Sequence, residues 1–177
     1  MQKCVLTPPD VSAERWPVLL CRSAEPTLQQ LSVFKQSASQ MTVVRSDTSA
    51  LEEAGLLQTR CDVPCVTGTI NSGGVLADGV LAKQSVSTFR AAFAPKLASA
   101  LATDHAVEGL PLSQVLLFSS VASLLGGAGQ ANYAAANAAM EGWVGAKAAQ
   151  GTNGLAVQWG AWAAGELLHA CQVRLVT

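Results

Sequence analysis

Five short apolar runs, each of strand length, set the strongest limit on what this 177-residue chain can fold into. Most of them are apolar on both faces, as in a sheet covered by helices on both sides. Segments with helical character lie between them, and this alternation predicts an α/β fold with a doubly wound parallel sheet. The predicted strands are residues 18–21, 41–44, 66–70, 115–118 and 155–159, and the predicted helices are 27–35, 48–58, 86–103 and 132–150.

The stretch from Gly109 to Met140 has no side chain that is charged at neutral pH. A membrane-spanning helix needs about 20 consecutive, mostly apolar residues. This stretch is interrupted by Pro111, three glycines and four amide side chains, so we interpret it as a buried strand, a turn and a packed helix. The polar groups of this stretch are then candidates for a functional site, and no membrane span is predicted.

Charge and composition limit the classes of partner that this chain can have. Half of the residues are hydrophobic, 13% are charged and the formal net charge is −1, with no cluster of lysines or arginines. This argues against nucleic acid or an anionic membrane surface as the main partner and favours a small molecule or another protein. The N-terminus has no basic region followed by an apolar run, so no signal peptide is expected and the expected location is cytoplasmic, or plastid.

The five cysteines are odd in number and scattered, which predicts free thiols rather than a disulfide framework. Cys61 and Cys65 are four residues apart, a spacing that could suggest a metal site. There is no second cysteine pair, and His105 and His169 are the only histidines. A structural zinc site normally has four ligands at recognisable spacing, so no metal is predicted.

A candidate catalytic group lies within the uncharged stretch. Tyr133 and Asn137 are four residues apart and share one face of the predicted helix. Ser120 ends a strand thirteen residues before the tyrosine, and a glycine-rich loop over 124–130 lets the chain return. An unperturbed tyrosine has a pKa of about 10 and needs a nearby cation to act near neutral pH. Lys96 is the best candidate by position. Each residue also has an ordinary structural interpretation when it is considered alone. Ser120 would be a helix cap and Tyr133 a core aromatic residue, while Asn137 would be a surface amide and Lys96 a solvated charge.

Small and polar residues follow three of the predicted strands. Asp47 comes after one strand, the segment 71–74 after the next, and Ser119 and Ser120 after a third. A doubly wound sheet binds its ligand beyond the carboxyl ends of its strands, so these residues are candidates for binding. The alternative is that Asp47 only caps the following helix and that the glycines only turn the chain.

The segments GGVLADGVL, FRAAFAPKLASALAT, VLLFSSVASLLGGAGQANYAAANA and VQWGAW resemble the ketoreductase domain of modular polyketide and fatty acid synthases, in the short-chain dehydrogenase/reductase superfamily. The likeness divides the chain into a divergent segment (1–16), a partial ketoreductase domain with a Rossmann-like fold (17–162) and a divergent tail (163–177). Lysine and asparagine have exchanged places relative to the usual superfamily pattern, which makes the ketoreductase interpretation more specific.

The resemblance implies a catalytic tetrad of Ser120, Tyr133, Asn137 and Lys96. NADPH would reduce a β-ketoacyl thioester held on an acyl carrier protein to the 3-hydroxyacyl product, with Tyr133 as the proton donor. Ser120 would bind the same oxygen, Lys96 would assist the tyrosine, and Asn137 would hold the lysine and a relay water. The positions that match the family's cofactor site are Arg22, Ser23, Asp47, Asn71, Ser72 and Gly73. Of these, Arg22 and Ser23 would hold the 2′-phosphate and Asp47 the adenine.

The chain also departs from the family pattern. No glycine occurs before Gly55, so the first strand and the glycine-rich pyrophosphate turn are expected to be missing. Residues 71–74 read Asn-Ser-Gly-Gly where synthase ketoreductases have His-Ala-Ala-Gly, and the likeness, including the substrate lid, is lost after Trp162. Two hypotheses therefore stay open: an NADPH-dependent ketoreductase that works with other synthase domains, or a non-catalytic ketoreductase-like scaffold or fragment of such a synthase.

Two positions bear on stereochemistry through the same resemblance. In the family, a Leu-Asp-Asp motif marks enzymes that take in the substrate from one side and give the D-configured product, and a tryptophan before the catalytic tyrosine marks entry from the opposite side. Here the motif reads Leu76-Ala77-Asp78, and Leu125 occupies the tryptophan position. This pattern predicts a D-configured 3-hydroxy product. The alternative role for Asp78 is to stabilise its own turn beside Gly79.

Overall fold

The structure, a computed structural model, describes residues 3–7, 18–21, 42–55, 66, 68–110, 112–160 and 174–176. The strands are β1 (Lys3–Thr7), β2 (Val18–Cys21), β3 (Thr42–Arg45), β4 (Gly68–Asn71), β5 (Gln114–Ser120), β6 (Asn153–Trp159) and β7 (Arg174–Val176). The helices are α1 (Leu51–Gly55), α2 (Val86–Phe93), α3 (Ser99–Ala106), α4 (Ala122–Leu125) and α5 (Ala131–Ala149). A 3₁₀ turn (Leu81–Lys83) precedes α2, and a π-helical turn (Ala94–Ala98) joins α2 to α3.

Within the described residues, seven strands form one sheet in the order β3-β2-β1-β4-β5-β6-β7. The pairs β2–β3, β4–β5 and β5–β6 are parallel, and the last of these extends from Gln114 opposite Asn153 to Ser120 opposite Trp159. The helices α2 and α3 lie between β4 and β5 in the chain, and α5, which lies between β5 and β6, packs on both of these strands. The predicted Rossmann-like α/β fold is confirmed.

The strand between β2 and β4 differs from the expectation. Residues 3–7 fill this position, which we expected to be empty, and they run antiparallel to both neighbours, with Cys4 opposite Leu20 and Asn71. An empty position would leave two rows of backbone N–H and C=O groups unpaired, so a nearby extended segment can pair there in either direction. Because of its direction, the carboxyl end of β1 at Thr7 lies beside Gly68, at the sheet edge opposite Asn71.

The remaining predicted elements agree with the structure except in detail. The predicted helix over 86–103 begins at Val86, where Ser85 and Thr88 form a reciprocal capping box, but it contains the π-helical turn. Pro95 explains this turn, since proline has no N–H to donate to the carbonyl four residues earlier. Strand β7 in the tail was not predicted. The predicted helix over 27–35, like residues 56–58 of the next one, lies outside the described residues.

A hydrophobic core cluster of the described residues lies between the sheet and α5. It contains Ala100, Val115, Leu117, Met140, Val144 and Ala156, with Leu112 and Trp143 against its edge. Leu117 is 1% exposed, and Met140 and Val144 are fully buried. Burial of these side chains fixes α5 on β5 and β6, and thereby sets where the first turns of α5 lie relative to the end of β5.

The sequence raised the questions of a membrane-spanning helix and of a metal site, and both concern features of the described part of the chain. Among the helices there, none combines the length and apolarity that a membrane crossing requires. The same residues contain no group of three or more His, Cys, Asp or Glu side chains able to hold a metal ion. Cys61, Cys65 and His169 lie outside the described residues.

Candidate active site

Lys96 is a buried lysine beside the tyrosine. Its side chain is 4% exposed, and its Nζ donates a hydrogen bond of 2.6 Å to the carbonyl oxygen of Phe118 on β5. The same Nζ lies 5.5 Å from the centre of the Tyr133 ring. Burial removes water from the ammonium group and lowers the pKa of Lys96 from 10.5 to about 8. The lysine is therefore mostly charged at neutral pH, within reach of the tyrosine.

Asn71, at the end of β4, holds the backbone around this lysine. Its Nδ2 donates to the carbonyl oxygen of Lys96 at 3.2 Å, and its Oδ1 accepts from the N–H of Gly73 at 3.0 Å. Both polar atoms of the amide group are thus used inside the protein. Asn71 is a predicted cofactor-binding residue, and these contacts give it the further task of fixing the π-helical turn that carries Lys96 against the strand end.

Tyr133 and Asn137 lie on the first turns of α5. Asn137 Nδ2 donates to the carbonyl oxygen of Tyr133 at 2.9 Å, whereas its Oδ1 is buried and has no hydrogen-bond partner among the described residues. A buried acceptor without a donor is costly unless water or another donor meets it. Asn137 thus has an acceptor available to a water or to a neighbouring ammonium group.

Asn132 is a site residue that sequence reasoning missed. Its Nδ2 donates to the carbonyl oxygens of Ala77 and Thr88, at 2.9 and 3.1 Å, and its Oδ1 accepts from the N–H of Tyr133 at 2.8 Å. The side chain is fully buried. It fixes the first turn of α5 to the 71–80 loop and to α2. An amide directly before the tyrosine at a helix start was the available signal.

Ser120 is the last residue of β5, two positions after Phe118. Its Oγ accepts a hydrogen bond from the N–H of Ala122 at 3.2 Å, and its carbonyl oxygen accepts from Ser123 Oγ at 2.8 Å. The structure thus brings Lys96, Tyr133 and Asn137 together and places Ser120 on the strand that binds the Lys96 ammonium group.

The predicted substrate loop is joined to the loop that precedes Tyr133. Asp78 Oδ2 accepts from Gln130 Nε2 at 3.1 Å, and the N–H of Gly79 donates to the carbonyl oxygen of Gly129 at 2.9 Å. Asp78 therefore makes a contact beyond its own turn. Leu125, on α4, is 73% exposed.

The predicted adenosine end of the site is only partly described. Asp47 Oδ1 accepts from both the N–H and the Oγ of Ser49, at 3.1 and 2.6 Å, and the N–H of Asp47 donates to Glu53 Oε2 at 2.7 Å. These bonds stabilise the turn that precedes α1, which begins at Leu51. Arg22 and Ser23 lie outside the described residues.

The described residues fit one half of a dinucleotide and not the other. Lys96 lies beside both Tyr133 and the segment 71–74, which is where the resemblance leads us to expect the nicotinamide. At the pyrophosphate end, a parallel strand should lead through a glycine-rich turn into a helix N-terminus. Strand β1 runs the other way, and no glycine precedes Gly55 in the sequence. Ser72 and Gly73 follow β4, but they do not replace that turn.

Comparison with known proteins identifies the family. A family model described as the KR domain matches residues 13–164. Mellein synthase of Phaeosphaeria nodorum is 31% identical over 140 residues, which are 77% of this chain and 8% of that synthase. Polyketide synthase GfsB of Streptomyces halstedii is 43% identical over 100 residues, 56% of this chain and 2% of that protein. The chain thus spans a small part of these relatives.

Solved ketoreductases have the same fold. PlmKR1, the ketoreductase from the first module of phoslactomycin biosynthesis in Streptomyces sp. HK803, matches with a TM-score of 0.73 and 29% identity, over 86% of this chain and 37% of that one. A structure of A-type ketoreductases from a modular polyketide synthase matches with a TM-score of 0.73 and 28% identity, over 82% and 32%. The chain belongs to the KR domain family, the ketoreductase domains of modular polyketide synthases within the short-chain dehydrogenase/reductase superfamily.

Proposed function

We propose that this chain supplies the carbonyl-reducing site of a synthase ketoreductase. The substrate is a β-ketoacyl thioester on an acyl carrier protein, the reductant is NADPH, and the product is the 3-hydroxyacyl thioester of polyketide or fatty acid biosynthesis. The observation that carries the proposal is the buried Lys96 ammonium group, 5.5 Å from the ring of the chain's single tyrosine.

Tyr133 is the proton donor in this proposal. Its hydroxyl transfers a proton to the carbonyl oxygen as that oxygen becomes negative, and the positive charge of Lys96 stabilises the phenolate left behind. Ser120 donates a hydrogen bond to the same oxygen, where charge develops in the transition state. When bound, the dihydronicotinamide supplies the hydride.

The remaining polar groups keep the lysine in place. The Phe118 carbonyl takes one of the three donors of the ammonium group, which leaves two for the tyrosine and for water. The buried Oδ1 of Asn137, which has no partner among the described residues, supports a role in holding a water that returns a proton to Tyr133. Asn71 and Asn132 act on backbone atoms, so they position the site without touching the substrate.

The partners in this proposal follow from the relatives. Mellein synthase and the phenolphthiocerol synthase Pks15/1 of Mycobacterium marinum are much longer proteins, of which this chain spans 8% and 7%. An acyl carrier protein and neighbouring synthase domains are therefore the expected partners.

One observation favours the second hypothesis, a non-catalytic scaffold. The sheet position next to β4 is filled by an antiparallel strand, so the amino end of β1 lies beside Asn71, where a parallel strand would lead into a glycine-rich turn. In this hypothesis the chain keeps the fold and the tyrosine environment but does not hold a cofactor well enough to turn over.

A chimera separates the two hypotheses. Residues 1–16 are replaced by the first strand, glycine-rich turn and helix of a solved synthase ketoreductase, and NADPH oxidation is followed with acetoacetyl-N-acetylcysteamine. We expect the chimera to reduce this thioester and its Tyr133→Phe variant to lose at least about 10²-fold in rate while still binding NADPH, since only the proton donor is removed. A chimera that binds NADPH without reducing the thioester favours the scaffold, and a Tyr133→Phe variant with the parental rate removes the tyrosine from the mechanism.

A further inference from the structure

Glu141 is a carboxylate that the proposed mechanism does not use, although it lies on the same helix as the tyrosine. Tyr133, Asn137 and Glu141 are spaced by four residues along α5, so they follow one side of the helix. Glu141 is half-buried, and two helical turns separate it from Tyr133.

Three donors from three different elements converge on this carboxylate. Ser119 Oγ on β5 donates to Oε1 in a close contact, and Ser123 Oγ on α4 lies 2.6 Å from the same oxygen. Gln158 Nε2 on β6 donates to Oε2 at 3.0 Å. Ser119 and Gln158 are each 3% exposed, so water does not replace these bonds if the carboxylate is removed.

The two serines that contact Glu141 flank Ser120 in the sequence. Ser119 directly precedes Ser120, and Ser123 Oγ donates a hydrogen bond of 2.8 Å to the Ser120 carbonyl oxygen. A serine hydroxyl has one proton, so Ser123 shares it between Glu141 and Ser120. The junction is closed by the N–H of Val121, which donates to the carbonyl oxygen of Trp159 at 3.0 Å.

We propose that Glu141 is a positioning residue that holds the β5–α4 junction carrying Ser120 against the helix carrying Tyr133, and so sets the separation of the two hydroxyl groups. The inference rests on the proposed function, in which these hydroxyls act on one oxygen. A carboxylate suits the task because both of its oxygens are acceptors. An amide would turn an NH₂ group toward one of the three donors.

The single tyrosine makes a direct test available. Biosynthetic replacement of tyrosine by 3-fluorotyrosine places one fluorine nucleus in the 177-residue chain, at Tyr133, and its NMR resonance reports the surroundings without cofactor or turnover. The measured quantity is the change in this resonance caused by Ser120→Ala, first in the parental chain and then in the Glu141→Gln chain. Glu108→Gln is the matched control, since Glu108 is exposed and pairs only with His105 among the described residues.

We expect Ser120→Ala to shift the resonance in the parental and Glu108→Gln chains, and to shift it little or not at all in the Glu141→Gln chain. If Glu141→Gln only lowered the stability of the chain, the molecules that remain folded would still show the shift of the Tyr133 resonance caused by Ser120→Ala. A shift that persists in full in the Glu141→Gln chain overturns the positioning role and leaves the proposed function standing. If Ser120→Ala causes no shift in the parental chain, the hydroxyls do not share a site, and the proposed function and this inference both fail.

Ser123→Ala is the second variant, because Glu141→Gln leaves buried donors poorly matched and could prevent folding. It removes the link between the carboxylate and Ser120 and keeps Glu141 with its other two donors. We expect Ser123→Ala to reduce the Ser120-dependent shift as well. An undiminished shift in this variant overturns the inference even if the Glu141→Gln chain cannot be purified.

Discussion

Lys96→Met should stabilise the chain at neutral pH. Burial lowers the pKa of this lysine from 10.5 to about 8, a drop that corresponds to roughly 3 kcal/mol, since one pKa unit is equivalent to about 1.4 kcal/mol. Methionine is of similar length and removes the cost of burying the charge, but it also removes the hydrogen bond to the Phe118 carbonyl oxygen. A hydrogen bond to a charged group contributes about 1.5 kcal/mol or more. The expected net gain in the free energy of unfolding is about 1 kcal/mol at pH 7.

The gain should depend on pH in a defined direction. The unfolded chain keeps the lysine proton up to pH 10.5, whereas the folded chain loses it near pH 8. Between these values the unfolded state binds more protons, so the stability of the parental chain rises with pH relative to the variant. The advantage of Lys96→Met is therefore constant below about pH 8 and shrinks from there to pH 10.5, where only the loss of the hydrogen bond remains.

Urea unfolding followed by tryptophan fluorescence, repeated between pH 6 and pH 10.5, measures this difference. Lys83→Met is the matched control, because Lys83 is exposed on the 3₁₀ turn and water solvates it in both states. A Lys96→Met variant that is less stable than the parental chain at pH 7, or whose difference from it does not change with pH, would refute the reasoning. The same substitution should abolish reduction by the chimera, since it removes the charge beside Tyr133.

Three further predictions follow from the structure and the sequence. The 177-residue chain should bind NADPH weakly or not at all in a fluorescence titration, because no glycine precedes Gly55 in the sequence and β1 runs antiparallel to β4, and micromolar or tighter affinity would contradict this. Gly154→Ala should lower the free energy of unfolding in urea by about 1–3 kcal/mol, since the added Cβ would lie 2.5 Å from Val144 Cγ2. Gly145→Ala should not lower it, because an added Cβ there has nothing within 4 Å, and equal unfolding midpoints for the two variants would contradict the packing argument. The chimera should give the D-configured 3-hydroxy product on chiral chromatography, because Asp78 is kept and Leu125 replaces the tryptophan, and mainly L-configured product would show that these two residues do not direct substrate entry.

Local order in the sequence was enough to predict much of the fold and the composition of the candidate site. Runs apolar on both faces located β2, β4, β5 and β6, because burial on both sides of a sheet demands such runs. The four-residue spacing put Tyr133 and Asn137 on one side of α5. These features depend on neighbours in the chain, so spacing and residue type suffice to find them.

Tertiary structure alone decided the surroundings of the site. The depth of Lys96, and with it the lowered pKa, depends on the π-helical turn and on the end of β5, which are distant in sequence. In the sequence, Glu141 has no feature that distinguishes it from an ordinary helix residue. Only the tertiary structure brings donors from β5, α4 and β6 to its carboxylate. The direction of β1 is likewise invisible in the sequence, because backbone N–H and C=O groups pair with a parallel or an antiparallel neighbour, and the connections and the packing of the whole sheet determine which forms.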